Sequence, residues 1–147
     1  GGRGYPMTER ARRQWIDANA RGLDPARVAT LLDRYGTVAA EVIAAIADDP
    51  QDAALATVTS FSTGELRHLA RTESVVHLDD MLLRRTSLGF IGAVTAESAR
   101  EVADAIAPVT EWDAAQCAAE TERALAKVHA ADPTWSAEAS ADSAASR

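Results

Sequence analysis

The sequence predicts an all-α protein, a compact irregular bundle of about six helices that ends in a disordered tail. Hydrophobic residues make up 47% of the chain but aromatic residues only 5%, and alanine is abundant, which suits close-packed helices better than a β-rich core. Apolar residues recur at three- and four-residue spacing between helix-capping and helix-stopping residues. At 147 residues, the chain is long enough for one domain with a hydrophobic core.

The first two predicted helices have clear starts. Thr8 begins the first, Glu9 follows where a carboxylate favours the positive end of a helix, and the helix runs to Arg21-Gly22. Asp24 caps the second helix, and Pro25 suits its first position because the backbone N–H that proline lacks is unpaired there anyway. One face of this second helix carries apolar side chains, namely Val28, Leu31, Leu32 and Tyr35.

The Tyr35-Gly36-Thr37 motif is interpreted as a junction between helices. Gly36 can adopt the left-handed conformation that closes the second helix, and Thr37 can cap the third. The third helix ends at Asp48-Asp49-Pro50, and its apolar residues repeat at four-residue spacing as Val38, Val42 and Ile46. Residues 51–60 have no decisive period, so the sequence leaves their structure open.

The fourth predicted helix has the strongest local start of the chain. Residues from Ser62 to Glu65 have the form of a capping box, in which two side chains satisfy the free backbone amides of a helix start. Phe61 and Leu66 stand where a hydrophobic staple would form across that start. The helix then carries Leu69 and Ala70 inward.

A break near Ser74 is expected to divide this helix from the next. The chain restarts at His77, which is expected to cap the new helix, and Asp80 lies in a second capping-box position. The side chains that then face the core are Leu78, Met81 and Leu82.

Two further helices are predicted before the tail. Phe90 lies in a glycine-punctuated stretch that is expected to turn and to pack it inward. Thr95 starts a helix that ends at Pro108, and Thr110 caps the final helix. That helix presents a narrow stripe made of Ala114, Ala118, Thr121, Leu125 and Val128. Residues 132–147 have no large apolar side chain after Trp135, so they cannot offset the entropy cost of ordering.

Charge and cysteine content exclude several classes of protein. The net charge is -7; residues 1–36 carry seven arginines against four acids, and residues 37–147 carry eight basic residues against eighteen acids. Because nucleic-acid affinity comes from basic side chains that release counterions, the acidic body argues against nucleic-acid binding. Cys117 is the single cysteine, so no internal disulfide can form, and a cytoplasmic location is expected. No apolar run approaches the roughly twenty residues that span a bilayer, which leaves at most peripheral membrane contact.

Four charged residues form the candidate functional cluster: Glu73, Asp80, Arg84 and Arg85. Asp80 and Arg84 are four residues apart in the favourable acid-first order, and Glu73 can reach Arg85 across the helix break. The favoured interpretation is a structural ion network, and loss of one partner would cost a few kcal/mol if the pair is buried. The alternative is a contact with an anion or a partner, because guanidinium groups match phosphate geometry.

Other chemistry has weaker support in the sequence. His68, His77 and Asp80 offer donors to a transition metal, but neither a zinc motif nor a clustered third histidine accompanies them. Cys117 lies among alanines, where ordinary packing is expected. A phosphate loop and a dinucleotide fingerprint are both absent from the sequence. We therefore assign no catalytic, cofactor-binding or metal-binding residue.

Three short motifs match the pattern of one protein family. The stretch from His77 to Thr86, read with Glu65-Leu66 and Glu73, is similar to "E-L … H-E … D-x-L-x-R-R-T". The stretch from Leu32 to Thr37 is similar to "L-x-x-x-Y-G-S/T", and Glu111-Trp112-Asp113 to a later "G/E-W-D". Together the motifs resemble the C-terminal helical domain of FAD-dependent glycerol-3-phosphate dehydrogenases.

The resemblance implies that this chain is an accessory part of an oxidoreductase. In such an enzyme FAD takes a hydride from C2 of glycerol 3-phosphate, giving dihydroxyacetone phosphate, and the electrons pass to a quinone-type acceptor. A missing N-terminal FAD and substrate domain would hold these molecules, so residues 1–7 would be a linker and residues 8–131 a helical domain without FAD of its own. The role expected for that domain is structural or in assembly, in the cytoplasm or at the inner face of the cell membrane, and a homo-oligomer stays open.

One other function fits the composition. A stand-alone all-α protein-interaction module would use a helix-lined groove to take a peptide or a partner helix. Such a module would expose an apolar patch that works in itself, whereas the dehydrogenase interpretation expects an apolar patch that another domain covers.

Overall fold

The computed structural model describes residues 4–73, 75–86, 88 and 94–131. These residues form seven α-helices: α1 (Glu9–Asn19), α2 (Pro25–Tyr35), α3 (Ala39–Ala47), α4 (Thr63–Thr72), α5 (Leu78–Asp80), α6 (Ala96–Thr110) and α7 (Ala114–Ala131). A 3-10 turn (Gly36–Val38) joins α2 to α3, and a π-helical turn (Met81–Arg85) continues α5. The described residues contain no β-strand, only an isolated bridge between Ala54 and Ser62, which confirms the predicted all-α class.

Two clusters of buried apolar side chains hold these helices together. The first lies among α1, α2 and α3 and consists of Ile16, Val28, Leu31, Leu32, Ala39, Val42, Ile43 and Ile46. The second lies among α4, α5, α6 and α7, and its largest side chains include Phe61, Leu66, Leu78, Met81, Leu82 and Ile106. Tyr35, at the end of α2, packs against both clusters. It therefore stands where the two halves of the described structure meet.

The starts of α1 and α2 agree with the sequence. The Thr8 hydroxyl accepts a hydrogen bond from the Ala11 amide at 3.2 Å, and Asp24 Oδ1 accepts one from the Ala26 amide at 2.7 Å. The end of α1 comes two residues earlier than predicted, at Asn19. Arg21 and Gly22 have φ angles of 46° and 87°, and a right-handed helix cannot continue through positive φ.

Gly36 closes α2, and Thr37 does not cap α3. Gly36 has a φ angle of 62° and donates its amide to the Leu32 carbonyl, so it ends the helix with the positive φ that glycine tolerates best. Its ψ angle of -144° lies outside the predicted left-handed helical region. Thr37 lies inside the 3-10 turn, and Val38 takes the position before α3, so the predicted cap is wrong. Val38 is 49% exposed and does not belong to the buried face of Val42 and Ile46.

Polar side chains hold the irregular loop between α3 and α4. Leu55 and Phe61 are buried in it, and the Leu55 amide donates to the Phe61 carbonyl at 3.0 Å. Glu101 of α6 accepts hydrogen bonds from the amides of Ala56 and Thr57 at 2.6 and 2.9 Å. Burial opposes ionisation of Glu101, but the Thr57 hydroxyl and these amides outweigh it and lower the pKa of the carboxyl group. A distant carboxylate thus orders a segment that has no period of its own.

Half of the predicted capping box forms at the start of α4. The Ser62 hydroxyl accepts from the Glu65 amide at 3.5 Å, and Phe61 and Leu66 are buried in one cluster, as the staple requires. The reciprocal bond is replaced, because the Glu65 carboxylate binds Arg34 and Tyr35 instead.

The short α5 begins where the sequence predicts but is capped differently. His77 holds the capping position without a capping bond from its side chain, and Asp80 pairs with Arg84. The amide of Leu78 instead donates to Glu120 of α7 at 3.0 Å. A carboxylate from another helix therefore replaces the predicted local cap. The predicted core residues Leu78, Met81 and Leu82 are fully buried.

The boundary between α6 and α7 differs from the prediction. Thr95 caps α6 as expected, but Pro108 does not end it, since the helix continues for two more residues. Thr110 is the last residue of α6, and its hydroxyl donates to the Ile106 carbonyl at 3.2 Å, so it does not cap α7. The cap of α7 is Asp113, whose carboxylate accepts from the Gln116 amide at 2.8 Å while the Gln116 side chain accepts from the Asp113 amide at 2.9 Å.

The buried face of α7 also differs from the predicted stripe. Ala114 and Ala118 are exposed, whereas the buried residues are Cys117, Thr121 and Ala124. Leu125 and Val128 pack against the second cluster from its margin. An alanine-rich helix has several apolar faces of similar size, so its sequence did not specify which one would meet α6.

Three predictions fall outside the described residues: the break at Ser74, the turn around Phe90 and the tail from residue 132. Among the helices that are described, none is long and apolar enough to cross a membrane.

Candidate functional site

Arg84 and Arg85, the adjacent arginines of the family motif, line one cavity, which we name the arginine pocket. It has a volume of about 390 Å³, and its polar lining comprises Arg34, Tyr35, Glu73, Arg84, Arg85 and Thr86. The end of α2 supplies the first two of these residues, Glu73 follows α4, and the π-helical turn with Thr86 supplies the rest. The fold therefore brings the Tyr35-Gly36 segment and the Arg84-Arg85 segment together at one place.

The four residues of the predicted ion network form two separate pairs beside this pocket. Arg84 and Asp80 are 3.5 Å apart, with 75% and 27% of their side chains exposed. Arg85 binds Glu73, with 41% and 37% exposed. Solvent screens charges at such positions, so each pair is worth only about 0–1 kcal/mol. The burial on which a large destabilisation was predicted to depend is absent from both pairs.

A buried carboxylate next to the pocket carries the stronger polar network. Glu65, whose side chain is 2% exposed, binds the guanidinium of Arg34 and accepts a hydrogen bond from the Tyr35 hydroxyl at 2.7 Å. Arg34 also lies over the Phe61 ring at 3.7 Å from its centre and donates to the Ser60 carbonyl at 3.0 Å. Burial, and then the negative charge of Glu65, raise the pKa of Tyr35 well above its ordinary value. The hydroxyl therefore acts as a fixed donor.

The sequence does not assign Arg34 and Glu65 to a site. Glu65 occupies a capping-box position, and Arg34 is one of the seven arginines in residues 1–36. A detectable pattern did exist, since Glu65 immediately precedes the core-facing Leu66, and a carboxylate next to a buried face needs a partner that offsets its lost hydration. The sequence did not show that the partner lies on α2.

Thr86 stabilises the end of the turn that presents the arginines. Its amide donates to the Met81 carbonyl at 3.0 Å, and its hydroxyl donates to the same carbonyl at 2.9 Å. The hydroxyl also lies 3.3 Å from the Leu82 carbonyl. Helix ends leave carbonyl groups unpaired, and Thr86 satisfies two of them here.

A second charged cluster joins α5 to α7. His77 Nδ1 lies 3.1 Å from Glu120, and Lys127 binds Asp79 at 2.5 Å. Burial opposes ionisation of Asp79, but Lys127 and then Arg123 outweigh it, so the pKa of this carboxyl group is lowered. The cluster holds the segment from His77 to Asp80 against α7.

The remaining candidates do not assemble into a reactive site. Within the described residues, no three His, Cys, Asp or Glu side chains converge as metal ligands would, and His77 binds Glu120. Cys117 is buried, and burial, followed by the charges of Asp104 and Asp113, raises the pKa of its thiol. A raised pKa disfavours the nucleophilic thiolate. In the arginine pocket the Tyr35 and Thr86 hydroxyls already donate to protein acceptors, so the pocket offers guanidinium charge and donors rather than a nucleophile.

Comparison with known proteins gives consistent matches. Residues 1–117 match the family described as the C-terminal domain of alpha-glycerophosphate oxidase. Proteins named glycerol-3-phosphate dehydrogenase 2 from Mycobacterium tuberculosis and Mycobacterium bovis are 37% identical over 113 residues, which is 74% of this chain and 19% of theirs. The glycerol-3-phosphate dehydrogenase of Mycobacterium leprae is 36% identical over 116 residues, 77% of this chain and 20% of its own.

These relatives are much longer than this chain, which spans about a fifth of their length. No solved structure matches the chain significantly.

Proposed function

The chain belongs to the family of C-terminal domains of alpha-glycerophosphate oxidase, and we propose that it serves as the helical accessory domain of a glycerol-3-phosphate dehydrogenase. The observation that carries the proposal is the family match across residues 1–117, joined to relatives that bear this enzyme's name. The enzyme would oxidise glycerol 3-phosphate to dihydroxyacetone phosphate through FAD and pass the electrons to a quinone-type acceptor.

The proposed role of this chain is structural. Its charged groups support that role, because the two buried acids, Glu65 and Asp79, bind basic side chains on other helices. Such bonds fix the relative positions of helices. FAD and substrate would bind to an N-terminal module of the same polypeptide, and this chain would pack against that module. The complete enzyme would work in the cytoplasm, with peripheral contact at the membrane that holds the quinone.

The test compares two proteins. One is the chain of residues 1–147, and the other is the full polypeptide of the reading frame that contains it. We expect the full polypeptide to carry bound flavin and to reduce a soluble quinone analogue when glycerol 3-phosphate is added. The isolated chain should be colourless and inactive.

Two results would overturn the proposal. If the full polypeptide lacks flavin and does not oxidise glycerol 3-phosphate, it is not this dehydrogenase. If the isolated chain shows flavin absorbance, it holds the cofactor itself and is not an accessory domain.

A further inference from the structure

We propose that the arginine pocket is a binding site for a phosphate-type oxyanion, either free phosphate or a phosphate monoester. The inference goes beyond the proposed function and does not depend on it, because it concerns a site in this chain alone. It starts from the lining of one cavity of about 390 Å³, which includes three arginines, Arg34, Arg84 and Arg85, and one acidic residue, Glu73.

The three arginines differ in how firmly they are held, and the difference suits a binding site. Arg34 is 19% exposed and is fixed by Glu65, by the Phe61 ring and by the Ser60 carbonyl. Arg84 and Arg85 are 75% and 41% exposed. One guanidinium is therefore preorganised, and two others can adjust to a ligand, which limits the entropy lost on binding.

The existing ion pairs leave the pocket able to bind an anion. A guanidinium has five N–H donors, and a carboxylate engages at most two of them. Asp80 lies 3.5 Å from Nη1 of Arg84, and Glu73 binds Nη1 of Arg85, so each acid is recorded against one end of its guanidinium. Because these acids are themselves 27% and 37% exposed, the pairs are weak and can share their arginines with a second acceptor.

Thr86, which lines the pocket, pairs two backbone carbonyls. Its hydroxyl donates to those of Met81 and Leu82, the first two residues of the π-helical turn. The chain as a whole carries a net charge of -7, yet this pocket is lined by three arginines and one acidic residue.

The geometry favours phosphate over a carboxylate ligand. A carboxylate has two oxygens and satisfies one arginine fork, whereas a phosphate monoester offers three strong acceptor oxygens and close to two negative charges. Three guanidinium groups around one small cavity match the second kind of ligand.

The experiment is an NMR and calorimetric titration of the 147-residue chain with inorganic phosphate, at an ionic strength held constant with sodium chloride. Parallel titrations use glycerol 3-phosphate and acetate. The test variant is Arg84→Gln/Arg85→Gln, and the charge-matched control is Arg10→Gln/Arg13→Gln, which removes two exposed arginines of α1. Thermal melts of both variants show whether they are folded, and Arg85→Lys keeps the charge while removing the fork.

We expect saturable binding of phosphate, with resonance shifts confined to the pocket residues. Affinity should fall about tenfold or more in Arg84→Gln/Arg85→Gln, as loss of charge-assisted hydrogen bonds implies, stay unchanged in the control, and be intermediate in Arg85→Lys. Tighter binding of glycerol 3-phosphate would identify a monoester as the ligand, and equal affinity would identify free phosphate. Absence of saturable binding, equal binding by the test variant, or acetate that binds as tightly would each overturn the proposal, whatever the flavin content of the full polypeptide.

Discussion

Substitution of Glu65 should destabilise this protein far more than substitution of any residue in the two exposed ion pairs. Glu65→Ala removes a carboxylate that is 2% exposed and that binds two partners, Arg34 and Tyr35. Removal of one partner of a fully buried ion pair costs about 3–5 kcal/mol. Arg34 is 19% exposed and keeps the Ser60 carbonyl and the Phe61 ring, so we place the loss at the lower end, about 3 kcal/mol.

Two further substitutions separate the charge from the hydrogen bonds. Glu65→Gln keeps an oxygen that can accept from Tyr35 but removes the charge that Arg34 needs, so about 1–2 kcal/mol should be lost. Glu73→Gln makes the same chemical change in a pair whose side chains are 37% and 41% exposed, where less than about 1 kcal/mol is expected. The matched control thus differs from the test mainly in burial.

The assay is urea unfolding followed by circular dichroism, with the free energy of unfolding extrapolated to water. The expected order of destabilisation is Glu65→Ala, then Glu65→Gln, then Glu73→Gln. If Glu65→Ala lowers the free energy of unfolding by no more than Glu73→Gln does, burial does not decide the strength of these pairs and the reasoning fails. A double-mutant cycle of Tyr35→Phe with Glu65→Gln then measures the share of the Tyr35 hydroxyl.

Three further outcomes are expected. Asp113→Ala should lower the free energy of unfolding by about 1 kcal/mol, because it removes the cap of α7. Thr110→Ala should change that free energy by less than about 0.5 kcal/mol. Equal losses for the two variants in urea unfolding would contradict this assignment of the cap. The pKa of Asp79 lies below its ordinary value of 3.8, so its ion pair with Lys127 stabilises the fold above that pH and is lost as the pH falls through the lowered pKa; Asp79→Asn should therefore flatten the acid side of the stability profile measured by thermal melts, and an unchanged profile would refute the effect. Cys117 should resist alkylation by iodoacetamide in the folded protein and react in urea, and equal rates under both conditions would show that the thiol is accessible.

Local sequence patterns predict most of the helices, but they do not predict the contacts between helices. The predicted helix caps are confirmed at Thr8, Asp24 and Thr95, because a cap acts within three residues of itself. Glu120 accepts from the first amide of α5, and Glu101 accepts from an amide of the loop before α4. Both carboxylates lie far away in the sequence. No local pattern contains such partners.

The candidate site was predicted in part for the same reason. Asp80 and Arg84 pair along one helix, and Glu73 meets Arg85 across a short break, so sequence spacing could suggest both contacts. Spacing says nothing about burial, however, and the buried pair of the region joins Arg34 to Glu65 across 31 positions of the chain. The alanines of α7 show a further limit, since equal side chains on several faces do not select the face that is buried.

The cap on α5 also ties the arginine pocket to the last helix. The three residues of α5 lead directly into the π-helical turn, and a helical segment this short needs outside support in water. Its first amide finds an acceptor on Glu120, 42 positions further along the chain. The turn that carries Arg84 and Arg85 is therefore tied to α7 through this bond. A truncation that removed Glu120 would keep every lining residue of the pocket and would still take away one of the bonds that hold the turn in place.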